Sequence, residues 1–108
     1  MRTTLTLSFL LAAGVSSHAA EPDMAAAADL AKASGCFSCH SASEKIVGPA
    51  FSSIAAKYAG DKDAVATLSQ SIQMGSTGKW GRVAMPAHSS LKAQDLKLLA
   101  AWVLAAKP

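Results

Sequence analysis

Apolar positions fall into one opening run and four later segments, each with its own spacing. The opening run, Leu5 to Val15, contains Leu7, Phe9, Leu10 and Leu11, follows the basic Arg2, and precedes the small residues Ser16, Ser17, Ala19 and Ala20. Charged start, short apolar stretch and small-residue end have the form of a secretory signal peptide. The run is shorter than the about 20 apolar residues that a bilayer span requires, and polar residues follow it at once. Residues 1–20 are therefore set aside as a cleaved signal. Cleavage after Ala19 suits the small-residue positions best, and cleavage after Ala20 stays open. Residues 21–108 form the mature domain.

Four helices are predicted in that domain. The first spans about Asp23 to Ser34, Ala-rich, with Pro22 near its start and Gly35 at its end. The second spans Phe51 to Ala59, between Gly48-Pro49 and Gly60. The third spans about Asp61 to Met74, with Asp61 as its cap, Val65, Leu68 and Ile72 as its apolar stripe, and Gly75 as its stop. The fourth spans about Lys92 to Ala106, with a stripe of Leu96, Leu99, Trp102 and Val103. Between Gly75 and Ser90 no period holds, and Gly78, Gly81 and Pro86 mark a long loop. Loops of this length in compact domains are usually functional or disordered, and Trp80, Val83 and Met85 favour a packed role. No strand alternation or repeat is visible, so the fold class is all-α.

Composition adds a constraint. The chain has 108 residues, enough for one small domain, and 51% of them are hydrophobic. Much of that share is alanine, which favours helix but contributes little core volume. A domain of this size often needs a staple, and a large apolar cofactor would serve as one.

Cys36-Phe37-Ser38-Cys39-His40 is a C-x-x-C-H motif, the signature of c-type haem attachment. Two thiols three positions apart can add to two vinyl groups on one haem edge, and the next residue is then carried beneath the iron. An imidazole there is the proximal ligand, His40. A thioredoxin-like reading would need a βαβ context, and a zinc site would need four ligands where the mature chain has two Cys and two His. A disulfide across so short a loop would contribute little. Candidates for the sixth ligand are Met24, Met74, Met85 and His88. Met24 is near the mature start, and Met74 sits in a helix, where methionine is commonly core filler. Met85 is preferred, because it lies in the Gly-bounded loop and Pro86 stiffens the chain after it. His88 is the bis-imidazole alternative, and its ordinary reading is a solvated loop residue.

Charge changes this picture little. Without the signal, Lys and Arg fall to nine against seven acids, about +2, and two haem propionates would nearly cancel it. Nucleic-acid binding, which needs a clustered basic surface, is not indicated. Lys45, Lys79 and Arg82 are candidate rim charges for docking an acidic partner.

From Gly35 to its C-terminus the chain resembles a class I cytochrome c of the bacterial cytochrome c-551 type. The resemblance is carried by the haem motif, Val47-Gly48-Pro49-Ala50, Ala55-Ala56-Lys57-Tyr58-Ala59-Gly60, Gly75-Ser76, Gly78-Lys79-Trp80-Gly81, Met85-Pro86 and Trp102-Val103-Leu104. It implies a four-helix fold around one covalently bound haem c, and a periplasmic electron carrier, not an enzyme, in a respiratory chain such as denitrification. Met85 matches the distal thioether ligand. Pro49 matches the proline whose carbonyl accepts the imidazole Nδ1–H, Trp80 one that reaches a haem propionate, and Trp102 a terminal-helix aromatic near the haem. The partners it implies are redox proteins such as a nitrite reductase, a copper protein or a membrane cytochrome complex, met by a monomer. The alternative is a haem enzyme or gas sensor with an open or replaced sixth position. The chain departs from the family at Ala31, where an aromatic is usual, and at Arg82, Ala84 and Ala87, where prolines often stand. Its loop after Met85 is also one residue longer.

Overall fold

The computed structural model describes residues 14–15 and 22–107. The predicted signal peptide, apart from Gly14 and Val15, lies outside the described residues. Four α-helices, α1 (Met24–Ala33), α2 (Phe51–Lys57), α3 (Ala64–Met74) and α4 (Ala93–Leu104), together with a single-turn 3₁₀ helix at Cys36–Ser38, make up the fold among the described residues. Each predicted helix is present and shorter than its sequence span, and local hydrogen bonding explains where each one stops.

α1 starts after Asp23, whose Oδ1 accepts the Ala26 N–H at 3.0 Å and so satisfies a donor that has no partner inside the helix. Pro22 therefore sits just outside the helix. Ala27 and Ala31 are fully buried four positions apart, giving α1 a face of small residues that lies close against α4. α2 gives way at Tyr58 to a tighter turn, in which Ala59 N bonds Ala56 O at 3.4 Å and Asp61 N bonds Tyr58 O at 3.0 Å.

Asp61 does not cap α3 as expected. Its Oδ1 accepts from Asp63 N at 2.8 Å and shapes the turn before the helix, which begins three residues later at Ala64. The buried face of α3 is accordingly Ala64, Leu68, Ser71 and Ile72, while Val65 is 38% exposed. The predicted stripe was right at Leu68 and Ile72 and one position out at its start. α4 buries Leu96, Leu99, Ala100 and Val103, with Trp102 half-buried beside them.

α4 is the centre of the assembly and packs against each of the other three helices. One cluster joins Phe51, Ile54 and Leu68 to Ala100 and Val103, and a second joins Ala31 and Ile72 to Leu96 and Leu99. Cys36 and Trp102 border both clusters. The aromatic that α1 lacks at Ala31 has a counterpart in Phe37, which meets Trp102 edge-on at 6.0 Å and Phe51 at 5.7 Å. Among the described residues no helix is long and apolar enough to cross a membrane.

Leu99 is 2% exposed at the junction of α1, α3 and α4. Leu99→Ala is expected to destabilise the haem-loaded protein by about 2–5 kcal/mol, as the loss of a buried leucine in a packed core does. Denaturant unfolding followed by circular dichroism measures this.

Candidate haem site

The cysteine motif closes on itself. Gly35, in the left-handed region at φ 79°, turns the chain out of α1, and Cys39 N and His40 N then both bond the Cys36 carbonyl, at 3.2 and 2.9 Å. This tight turn brings both sulfurs and the imidazole to the lining of one cavity. The two cysteines are not joined to each other. Burial pushes the Cys36 thiol up, and a backbone hydrogen bond only partly offsets it, so unmodified Cys36 is protonated at neutral pH.

Residues 41–50 fold back beneath the imidazole. Gly48 N bonds Cys39 O at 2.7 Å, and Phe51 N and Ser52 N reach Ser41 O and Ala42 O at 2.9 and 3.0 Å. The result places the Pro49 carbonyl 2.6 Å from His40 Nδ1, which donates to it. With Nδ1 engaged, Nε2 is the ring nitrogen left to act as a donor to metal. Phe51 stacks on the same ring with centroids 5.1 Å apart, and Trp102 meets Phe51 at 4.9 Å. A Cβ built on Gly48 would lie 2.8 Å from His40 Cε1 and 3.1 Å from Nδ1, so the ring position depends on glycine there. Neither Gly48 nor Phe51 was singled out as a site residue from the sequence. The one available signal was Gly48 standing directly before Pro49 in the stretch that carries the resemblance.

The loop after α3 is held by its backbone. Ser76 and Met85 form an isolated antiparallel bridge, with Ser76 N to Met85 O at 3.1 Å and Met85 N to Ser76 O at 2.9 Å. His88 N then bonds Ile72 O at 2.9 Å, tying the end of the loop to α3. Gly75 allows the crossing, because a Cβ there would lie 2.5 Å from the Met85 carbonyl oxygen, and its φ of 74° with ψ of 176° suits glycine alone. Ala84 and Ala87 in place of prolines therefore leave the loop anchored.

Of the four candidates for the sixth ligand, Met85 lines the cavity with His40. Met74 is 67% exposed, with its Sδ 3.8 Å from Gln70 Nε2, and so is not the core filler that its helix position suggested. Met24 lies in a separate crevice with Phe37 and Trp102. His88 does not line the haem cavity, and it is not a solvated residue either: its Nδ1 is buried with no hydrogen-bond partner. Trp80 is half-buried on the cavity wall, with the Lys57 ammonium 4.6 Å from its ring centroid.

The cavity has a volume of about 990 Å³ including its open mouth, and Ile54, Leu68, Ile72, Leu99 and Val103 supply apolar walls. Two thiols, an oriented imidazole, a thioether and an apolar lining are the donor set and surroundings that a covalently attached haem requires.

A family model for cytochrome c matches residues 24–107, all four helices and the intervening site. The chain belongs to the cytochrome c family. It is a class I cytochrome of the c-551 type, and its cofactor is covalently attached haem c. It is 46% identical over 80 residues to cytochrome c-552 of Nitrosomonas europaea, covering 74% of this chain and 78% of that protein. It is 43% identical over 79 residues to cytochrome c-551 of Pseudomonas denitrificans, covering 73% of this chain and 95% of that one. The crystal structure of wild-type Nitrosomonas europaea cytochrome c552 superposes with a TM-score of 0.71 at 46% identity, over 74% of this chain and 99% of that one. Like these relatives, the cytochrome is a small electron carrier.

Gly75→Ala in this cytochrome combines a backbone penalty of about 1–3 kcal/mol with a clash against the Met85 carbonyl. It is expected to lower the denaturation midpoint, which a thermal melt followed by circular dichroism checks.

Proposed function

We propose that residues 21–108, released by removal of residues 1–20 as a signal peptide, form a periplasmic electron carrier whose haem iron is held by His40 and Met85. Cys36 and Cys39 carry the two thioether links, the Pro49 carbonyl orients His40, and Trp80 reaches a propionate. The observation that carries this reading is that Met85 lies on the same cavity wall system as Cys36, Cys39 and His40, while His88 does not. The bound haem supplies a one-electron Fe(II)/Fe(III) couple.

The protein's own groups do the rest. His40 offers Nε2, and its Nδ1–H bond to Pro49 at 2.6 Å fixes the ring and makes it a better donor. Met85 would supply the second protein ligand to the iron, which would leave no place for a substrate and favour the ferrous form. The apolar side chains of Ile54, Leu68 and Leu99 act in the same direction, because a low-dielectric wall disfavours the extra ferric charge. Closed coordination supports a carrier over a haem enzyme or gas sensor.

Partner choice follows the resemblance to periplasmic respiratory carriers, in chains such as denitrification: a nitrite reductase, a copper protein or a membrane cytochrome complex, met by a monomeric carrier. Lys45 and Arg82 remain exposed charges suited to an acidic partner. Lys79 is exposed as well, but its ammonium also donates to Ser71 Oγ.

A weak methionine-to-ferric-iron charge-transfer band is expected in the red region of the oxidised spectrum. Met85→Ala should abolish it and lower the reduction potential, whereas His88→Ala should keep the band. A band that survives Met85→Ala would overturn the distal assignment.

Loss of both cysteines, in the Cys36→Ala/Cys39→Ala double variant, is expected to abolish covalent attachment. Haem staining of a denaturing gel would then show no signal at the protein's mass, and normal stained protein would contradict the thioether assignment.

A further inference from the structure

Lys79 contributes the one lysine or arginine side chain on the haem cavity wall among the described residues, and no aspartate or glutamate lines that wall. Lys79 is an exposed residue, and its Nζ is held at the cavity side by one hydrogen bond. It donates to Ser71 Oγ at 2.8 Å, and Ser71 is a buried residue of α3. A lysine ammonium has three protons to place, and Ser71 meets one of them. The remaining protons of this ammonium, beside an apolar wall, are open to an anion bound in the cavity. The segment that carries it is shaped for the purpose: Gly78 and Gly81, both with positive φ, bracket Lys79 and Trp80. Lys57, outside the cavity lining, places a second ammonium 4.6 Å from the centroid of that tryptophan ring.

Haem brings two carboxylates into this apolar, acid-free cavity. We propose that Lys79, positioned by Ser71, is the counter-charge to one haem carboxylate, next to Trp80 on the same cavity wall. The assignment rests on the haem occupying this cavity, and it makes Lys79 part of the cofactor site instead of the partner-docking rim. A fixed ammonium beside the haem has a direct consequence for the couple. It opposes the added positive charge of the ferric state, and it secures the anionic carboxylate that would otherwise favour that state.

The test uses the full-length haem-loaded protein with Lys79→Met, Lys79→Arg and Ser71→Ala. Reduction potential and the carboxylate region of the redox-difference infrared spectrum are read on each. Lys79→Met is expected to raise the ferric-to-ferrous ratio at fixed poise by about threefold or more, the scale of one unit charge removed at a partly screened distance. It is also expected to shift a carboxylate band. Lys79→Arg should retain both properties, and Ser71→Ala should shift the same band with a smaller fall in potential. An unchanged carboxylate band in Lys79→Met overturns the proposal, even where the potential falls, because Lys79 would then act only as a remote charge. Should Lys79→Met fail to fold, an unchanged band in Ser71→Ala overturns it equally. Haem staining and the red methionine band, recorded on the wild-type sample, separate this result from a failure of the His40/Met85 haem reading.

Discussion

The hydrogen bond from His40 Nδ1 to the Pro49 carbonyl, 2.6 Å long, sets the direction of the imidazole in the cavity, and the chain from Gly35 to α2 is arranged around it. The cysteine turn presents the ring, and the Gly48 N–H bond to Cys39 O closes the return loop at the point where Pro49 can accept. Phe51, the first residue of α2, stacks on the ring from its buried position, so the helix start and the ligand orientation are one packing decision. A single imidazole on a flexible segment would sample many directions. Here the hydrogen bond, the stacked ring and the absence of a Gly48 side chain leave it one.

The segment that carries Met85 reaches a similar rigidity by different means. No regular element runs from Gly75 to Ser90, yet Met85 is bonded through both backbone groups to Ser76, and His88 is bonded to the last turns of α3. Proline content is therefore a poor guide to stiffness in this loop. The chain can lack prolines at Ala84 and Ala87 because the Ser76–Met85 bridge and the His88–Ile72 bond do the anchoring. Gly48 and Gly75 play matching parts on the two sides: each permits a backbone or ring to approach closer than a Cβ would allow.

Between those two segments lies the apolar-walled cavity. α1 contributes alanines, and the two clusters of larger side chains lie along α4. A four-helix domain of this length has little apolar volume to spare, so the haem serves as core as well as cofactor. That dual role couples stability to redox chemistry. Residues such as Leu68 and Leu99 both pack the core and wall the cavity.

The sequence by itself determined the helix number and the attachment motif. These depend on short-range spacing: three positions between thiols, the imidazole next to the second, and apolar residues three and four apart. It also pointed to Pro49 and Trp80 through resemblance. Tertiary structure decided what local pattern could not express. Asp61 shapes a turn instead of capping α3, because its carboxylate has a nearer N–H in Asp63. Val65 is exposed because the rotation of α3 is chosen by its packing on α4. Met74 and His88, equal to Met85 as donors on paper, are separated from it by where the chain crosses itself. The roles of Gly48, Phe51 and the Lys79–Ser71 pair were likewise invisible, since each depends on atoms distant in sequence meeting within a few ångströms. Spacing along the chain can specify which donors exist, but only the packed fold specifies which of them face the same space.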